Sequence, residues 1–194
     1  MKCSIALERV RSDIGEDIPQ LWRDRELYYY LERGQQRLTN DVQIEEELTT
    51  QVTDVNRIGL PQTVSQVIEV VSREKETDPP TIMRQVPITE LEYNTEWSIW
   101  DNFLRFGDKL TTCKDGLVIQ CLMTPSPILD EDGNLISPDR ELGYAEGIDG
   151  VAYSGFPEKF AMGIVAFAVA QAKLRIGDTN GYAIAMSEFE TTIS

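Results

Sequence analysis

Apolar residues recur at helical spacing at both ends of this chain and at strand spacing in its middle, so the fold has to join two kinds of secondary structure. From Ile5 to Ile14, Leu7, Val10 and Ile14 mark one helical face and Gly15 is a stop, which predicts a helix over about 5–14. After Glu16-Asp17-Ile18-Pro19, Asp24 is a candidate N-cap. Leu27, Leu31, Gly34 and Leu38 then form one stripe of a helix over about 25–40. A glycine inside a helix costs about 1 kcal/mol relative to alanine, so Gly34 signals either tolerance or a close helix crossing. Tyr28, Tyr29 and Tyr30 point three ways around this helix, so at least one belongs at the surface or an interface.

Near the other end, Pro157 suits a first helical turn and the apolar run Phe160 to Ala170 follows, too short for a bilayer span and suited to a buried helix. Ile176-Gly177-Asp178 reads as a glycine C-cap followed at once by a new N-cap, and Tyr182, Ala185 and Phe189 share a face of the last helix. These signals predict helices over about 157–176 and 178–190.

In between, the period changes. Leu48 to Val55 alternates like a half-exposed strand and Gly59-Leu60-Pro61 breaks it. Val64 to Val71 fits either a helix or, as favoured here, a turn followed by a short strand. Thr81 to Pro87 and Trp97 to Phe106 are weaker strands, with a helical turn between them at Thr89 to Tyr93. Lys109 to Met123 predicts a hairpin through Lys114-Asp115-Gly116, which would set Cys113 opposite Val118 and Cys121 opposite Leu110 and so keep those cysteines unbridged. Residues 124–156 hold Pro125, Pro127 and Pro138 and five glycines with little periodicity. Between Asp130 and Asp149 seven acids face only Arg140, and loops of this length act as functional arms or are ordered by a partner.

The order helix, helix, strands, loop, helix, helix predicts an α+β fold in a single domain over 1–194. In that order a β-strand and hairpin portion at about 48–123 and a long acidic loop over 124–156 separate the N- and C-terminal helices. The Met1-Lys2-Cys3-Ser4 start lacks the apolar core of a signal peptide. Three cysteines with no C-x-x-C pair fit a reduced intracellular setting.

The first forty residues carry seven Lys/Arg and seven Asp/Glu, so the whole net charge of −15 arises beyond them, where 26 acids face 11 bases. There is no histidine. That removes imidazole-based general-base, triad and metal chemistry, and the acidity opposes tight phosphate binding. Asp130-Glu131-Asp132-Gly133-Asn134 invites a calcium reading, but its glycine is fourth rather than sixth as an EF-hand loop requires, which favours a solvated turn. Carboxylate pairs for glycoside hydrolysis have no distinguishing pattern, nucleophiles lack a base, and neither phosphate-loop motif occurs. Arg23, Arg25, Arg33 and Arg37 put cations on the second helix, but interleaved Asp24, Glu26 and Glu32 favour a solvated or subunit-contacting face. The sequence thus assigns no catalytic, cofactor-binding or metal residue and no enzyme activity.

Several landmarks occur in a recognisable order: Leu7-Glu8-Arg9-Val10, then Trp22-Arg23-Asp24-Arg25-Glu26-Leu27 leading to Tyr30-Leu31 and Gln35-Gln36-Arg37-Leu38. Leu60-Pro61, Thr124-Pro125-Ser126-Pro127 and Phe156-Pro157 before the alanine-rich helix that closes near Asp178 complete them. In these features the chain resembles the head-to-tail adaptor (connector, or neck) proteins of tailed bacteriophages. Gly34 stands where such proteins often show alanine, and the Asp130 to Asp149 stretch is longer than their usual connection.

The resemblance implies a helical bundle of N- and C-terminal helices with an inserted β portion, in a structural virion protein assembled in the host cytoplasm as a homo-oligomeric ring of about twelve copies. The ring would dock on the portal protein, extend the DNA conduit and offer an attachment surface to tail or nozzle proteins, with no catalytic centre, no cofactor and no membrane. Surplus acid lining such a channel would let DNA pass without specific binding. In isolated protein, residues 130–155 would be sensitive to protease and become ordered on assembly. Two other classes remain as alternatives: an acidic DNA-mimic that occupies a basic protein, and a carboxylate-dependent hydrolase.

Overall fold

A computed structural model describes residues 1–16, 21–42, 44–52, 54–72, 79–110, 113–143, 145–146, 152–153 and 156–194. Among these the fold is α+β, with helices α1 (Cys3–Ile14), α2 (Asp24–Asp41), α3 (Glu158–Arg175) and α4 (Thr179–Ile193). The strands are β1 (Ile44–Val52), β2 (Val55–Gly59), β3 (Val64–Ser72), β4 (Thr81–Ile82), β5 (Arg84–Gln85), β6 (Glu96–Trp100), β7 (Phe103–Leu110), β8 (Cys113–Met123), β9 (Ala145–Glu146) and β10 (Ala152–Tyr153). They divide between two compact units, the first comprising residues 1–43, 124–145 and 153–194 and the second residues 44–123 and 146–152. Among the described residues no helix is long and apolar enough to cross a membrane.

In the first unit the four helices lie within a few residues of the bounds that periodicity predicts. The run that carries the C-terminal apolar signal becomes α3, buried on nearly every side through Ala161, Gly163, Ile164, Val165, Phe167, Ala168 and Ala170, and α1, α2 and α4 all touch it. Small side chains make the closeness possible. A Cβ at Gly34 would sit 3.2 Å from the Ile164 carbonyl oxygen and 3.2 Å from the Phe167 ring, so the glycine marks a close crossing of α2 over α3. The same Phe167 ring meets Phe189 of α4 edge to face at 5.3 Å, a favoured aromatic geometry.

Helix ends follow the local chemistry, with one correction. Gly15 closes α1 in the left-handed region at φ 78°, and Gly177 at φ 81° separates α3 from α4, where Asp178 accepts the Gly181 N–H at 2.9 Å. Asp24, expected as the N-cap of α2, is instead its first helical residue; the cap is Arg23, whose N–H donates to the Glu26 carboxylate at 3.2 Å. Asp24 is engaged elsewhere, because the buried Arg11 guanidinium binds it together with Glu16, at 2.9 Å, and the Trp22 carbonyl, at 3.0 Å. That bond ties the end of α1 to the start of α2.

The second unit holds two four-stranded sheets, ordered β1-β8-β3-β4 and β2-β7-β6-β5. The hairpin expected over Lys109 to Met123 does not form. β7 pairs with β2 and β6 whereas β8 pairs with β1 and β3, so the chain passes from one sheet into the other between Leu110 and Cys113. Leu117, Ile119, Cys121 and Met123 alternate inward over β8 and are buried between two partner strands, which outweighs a local turn preference. Gly116, at φ 106°, sits instead where the β1–β8 register shifts between Thr50 and Val52. Cys113 and Cys121 then lie eight positions apart on one strand, about 26 Å at the usual rise, so no bridge can join them.

The ambiguous run at Val64 resolves as a full nine-residue strand. Register shifts at Val64/Gln66 and Val67/Glu69 move its phase, so Val67 and Val70 both face inward three residues apart, which imitates a helical spacing. Trp97 to Phe106 is not one strand but a hairpin. Asp101 and Asn102 at φ 53° and 61° make a two-residue turn that pairs Trp100 with Phe103. The helical turn beside it lies at Ile88–Glu90, one residue ahead of the expected Thr89.

Buried Glu96 organises this corner by accepting the Glu92 and Tyr93 N–H groups at 3.1 and 3.2 Å and the Arg84 guanidinium. The Arg84 hydrogen bond, then that of the Glu92 amide, holds the Glu96 carboxyl below the usual carboxylate range. The stability this contributes is complete above the unfolded value of about 4.3 and is lost as pH falls through the lower folded value. Urea unfolding followed from pH 6 downward should therefore steepen below about pH 4.3, and Glu96→Gln should flatten that part of the profile. In the first unit, Gly34→Val should lower stability by about 2–3 kcal/mol through overpacking against α3, measured by the same denaturant titration.

Candidate functional site

Helix α1 starts without a side-chain cap at Lys2, and its first N–H groups need acceptors. Residues 138–142 provide them: Cys3 N–H donates to the Arg140 carbonyl at 2.8 Å and Ser4 N–H to that of Pro138 at 3.1 Å. Leu142 N–H returns a bond to the Met1 carbonyl at 2.9 Å, and the Lys2 ammonium donates to Asp139 at 2.9 Å.

Helix α2 holds the same connection from its polar edge. The Glu32 carboxylate accepts the Ile128 and Leu129 N–H groups at 3.0 and 2.9 Å. Buried Gln35 uses both ends of its amide, donating to the Ser126 carbonyl at 3.0 Å and accepting the Gly143 N–H at 2.7 Å. Between these anchors the acidic sequence is a turn, with Gly133 at φ 75° and the Asp130 carboxylate accepting the Asn134 N–H at 2.7 Å.

Hydrogen bonds to α1 and α2 thus tie the connection at several points over residues 126–143. Glu32 and Gln35 do this, and helical periodicity could not flag them because it scores the apolar stripe and not hydrogen bonds to distant backbone. The remainder of the expected acidic loop, at 144, 147–151 with Asp149, and 154–155, lies outside the described residues, as do Asp17, Ile18 and Pro19 of the break before α2.

Where α2, this turn and the end of α3 meet, a recess of about 540 Å³ opens, its walls including Arg25, Tyr29, Tyr30, Leu129 and Arg175. The three tyrosines divide as their angular spread requires: Tyr28 is buried, Tyr30 half-buried, and Tyr29 51% exposed on the recess wall. Arg175 donates to Glu26 at 2.6 Å and lies over the Trp22 ring at 5.2 Å, and Trp22 in turn meets Tyr30 edge to face at 6.0 Å. Of the four arginines singled out on α2, Arg25 faces the recess and donates to the Asp132 carbonyl at 2.5 Å, while Arg33 lies 6.0 Å over Tyr29. Arg23 and Arg37 are exposed and do not line it.

The carboxylates here are acceptors. Arg175 holds Glu26 below the usual carboxylate range, and the Asn134 backbone N–H does the same for Asp130. A general acid needs the opposite shift. Burial pushes the thiols of Cys3 and Cys121 up to about 11, which leaves little thiolate for nucleophilic work at neutral pH. The recess thus sets exposed aromatic surface beside guanidinium groups. No protein-family model and no curated protein matches this chain.

Replacing Glu32 by alanine leaves the Ile128 and Leu129 N–H groups without their acceptor beside the buried Ile128 side chain, a loss of about 1–3 kcal/mol. Limited proteolysis should then cut within 126–136 faster in Glu32→Ala than in the parent chain.

Proposed function

We propose that this chain is the subunit of a head-to-tail adaptor ring of a tailed bacteriophage, a structural virion protein. In this reading the ring docks on the portal, and the N- and C-terminal helices pack against neighbouring subunits. The inserted β unit and the acidic connection extend the DNA conduit and present the surface to which tail components attach. The resemblance of the landmarks suggests the family, and one observation supports it most: the helical unit leaves large apolar and aromatic side chains in water on several faces.

Tyr29 is 51% exposed on α2, Ile176 51% exposed just after α3 and Ile184 56% exposed on α4. Ile184 and half-exposed Met162 border a second recess of about 350 Å³ between α3 and α4. A subunit that repeats one heterologous contact around a closed ring needs two different sticky faces of this kind, whereas a monomer gains nothing from them. The acid surplus suits a conduit wall that repels phosphate and leaves DNA free to slide.

Mass photometry and negative-stain images of the purified chain, alone and mixed with the portal protein of the same genome, test the reading. Closed rings are expected in at least the mixture. A strict monomer under both conditions would overturn it.

A further inference from the structure

Strands β2 and β7 of the second unit place Arg57 directly opposite Arg105. Two like charges at a cross-strand position oppose each other. Relief should be easy in a chain with 33 acids, yet no ion pair to either arginine occurs among the described residues. Arg57 lies over the Phe103 ring at 5.1 Å, and the Arg105 Nε is buried with no hydrogen-bond partner. A buried guanidinium N–H without an acceptor is rare in folded proteins and marks a missing group.

Both arginines line a recess of about 400 Å³ whose other walls are Asn56, Ile88, Leu91 and Phe106. Two guanidinium groups on one recess suit an anionic head. A guanidinium offers two parallel N–H groups to a carboxylate. A nucleic-acid backbone fits poorly, because it is held by a run of cations, and two arginines on a chain of net charge −15 do not make one.

We infer that the Arg57–Arg105 recess receives an aspartate or glutamate side chain from a second copy of this chain. Charge complementarity points to that occupant. Beyond residue 40, acids outnumber bases 26 to 11, so a neighbouring copy presents carboxylates in excess and this cationic pair in the inserted unit is left to receive one. The inference rests on the reading of the chain as a self-assembling subunit and names one of its contacts. An arrangement that strains the isolated unit and is relieved in the assembly is a common compromise at functional sites.

Self-association of the full chain, measured by sedimentation velocity over a range of protein and salt concentrations, tests it. Arg105→Met removes the orphaned N–H and keeps the side-chain bulk. It should melt no lower than the parent chain and associate at least tenfold more weakly. Arg57→Gln should weaken association in the same direction, both variants should lose most of the salt dependence, and Arg9→Gln, with the same charge change on α1, should behave as the parent. If Arg105→Met and Arg57→Gln assemble as tightly as the parent, the inference fails while the ring reading stands. A parent chain that stays monomeric both alone and with the portal removes the two together.

Discussion

Everything in the first unit depends on burying a helix that has almost no polar face. Between Gly163 and Ala172, α3 exposes little side chain, and small residues let neighbouring helices approach until ring and backbone touch. Such a helix gains little from its own side chains in water. Its stability comes from what covers it, so α1, α2 and α4 are conditions for α3 rather than additions to it. Close approach also makes the arrangement intolerant of added bulk at Gly34 and at Gly163, where a Cβ would press on Thr192.

A second theme is the use of charged and amide side chains as backbone caps. Arg11, Glu32, Gln35 and Glu96 each satisfy main-chain groups from segments distant in sequence or in turns without regular structure. Irregular chain has unpaired N–H and C=O groups that cannot be left dry, and a few polar side chains at helix edges or strand starts settle several at once. The acidic composition thus has a structural part to play, since a carboxylate held ionised by its neighbours is a strong acceptor.

How much of this the amino-acid order discloses depends on the range of the interaction. Helix bounds, the Gly177–Asp178 junction and the meaning of Gly34 were legible, because caps and apolar stripes act within a few residues. The β unit was legible only as β. Bulges in β3 shifted its phase towards a helical spacing. The Asp115-Gly116 pair carried a hairpin signal that pairing on both sides of β8 overrode, and the Asp101-Asn102 turn went unread because it lacks glycine. The tethers at Glu32 and Gln35 and the Arg57–Arg105 pair were not legible at all. Each depends on which residues meet across the fold, and no local pattern encodes that.

The passage of the chain between sheets has a mechanical side. β1 pairs with β8 and β2 with β7, with Val52 opposite Cys113 in one sheet and Val55 opposite Leu110 in the other. Each sheet has its own four strands, but consecutive strands of the chain, β1 with β2 and β7 with β8, fall in different sheets. Peeling β8 away drags on β7, and loosening β2 removes the anchor of β1, so tension entering either sheet is shared by both. Two sheets that can yield only together make a stiffer element than two that can yield in turn.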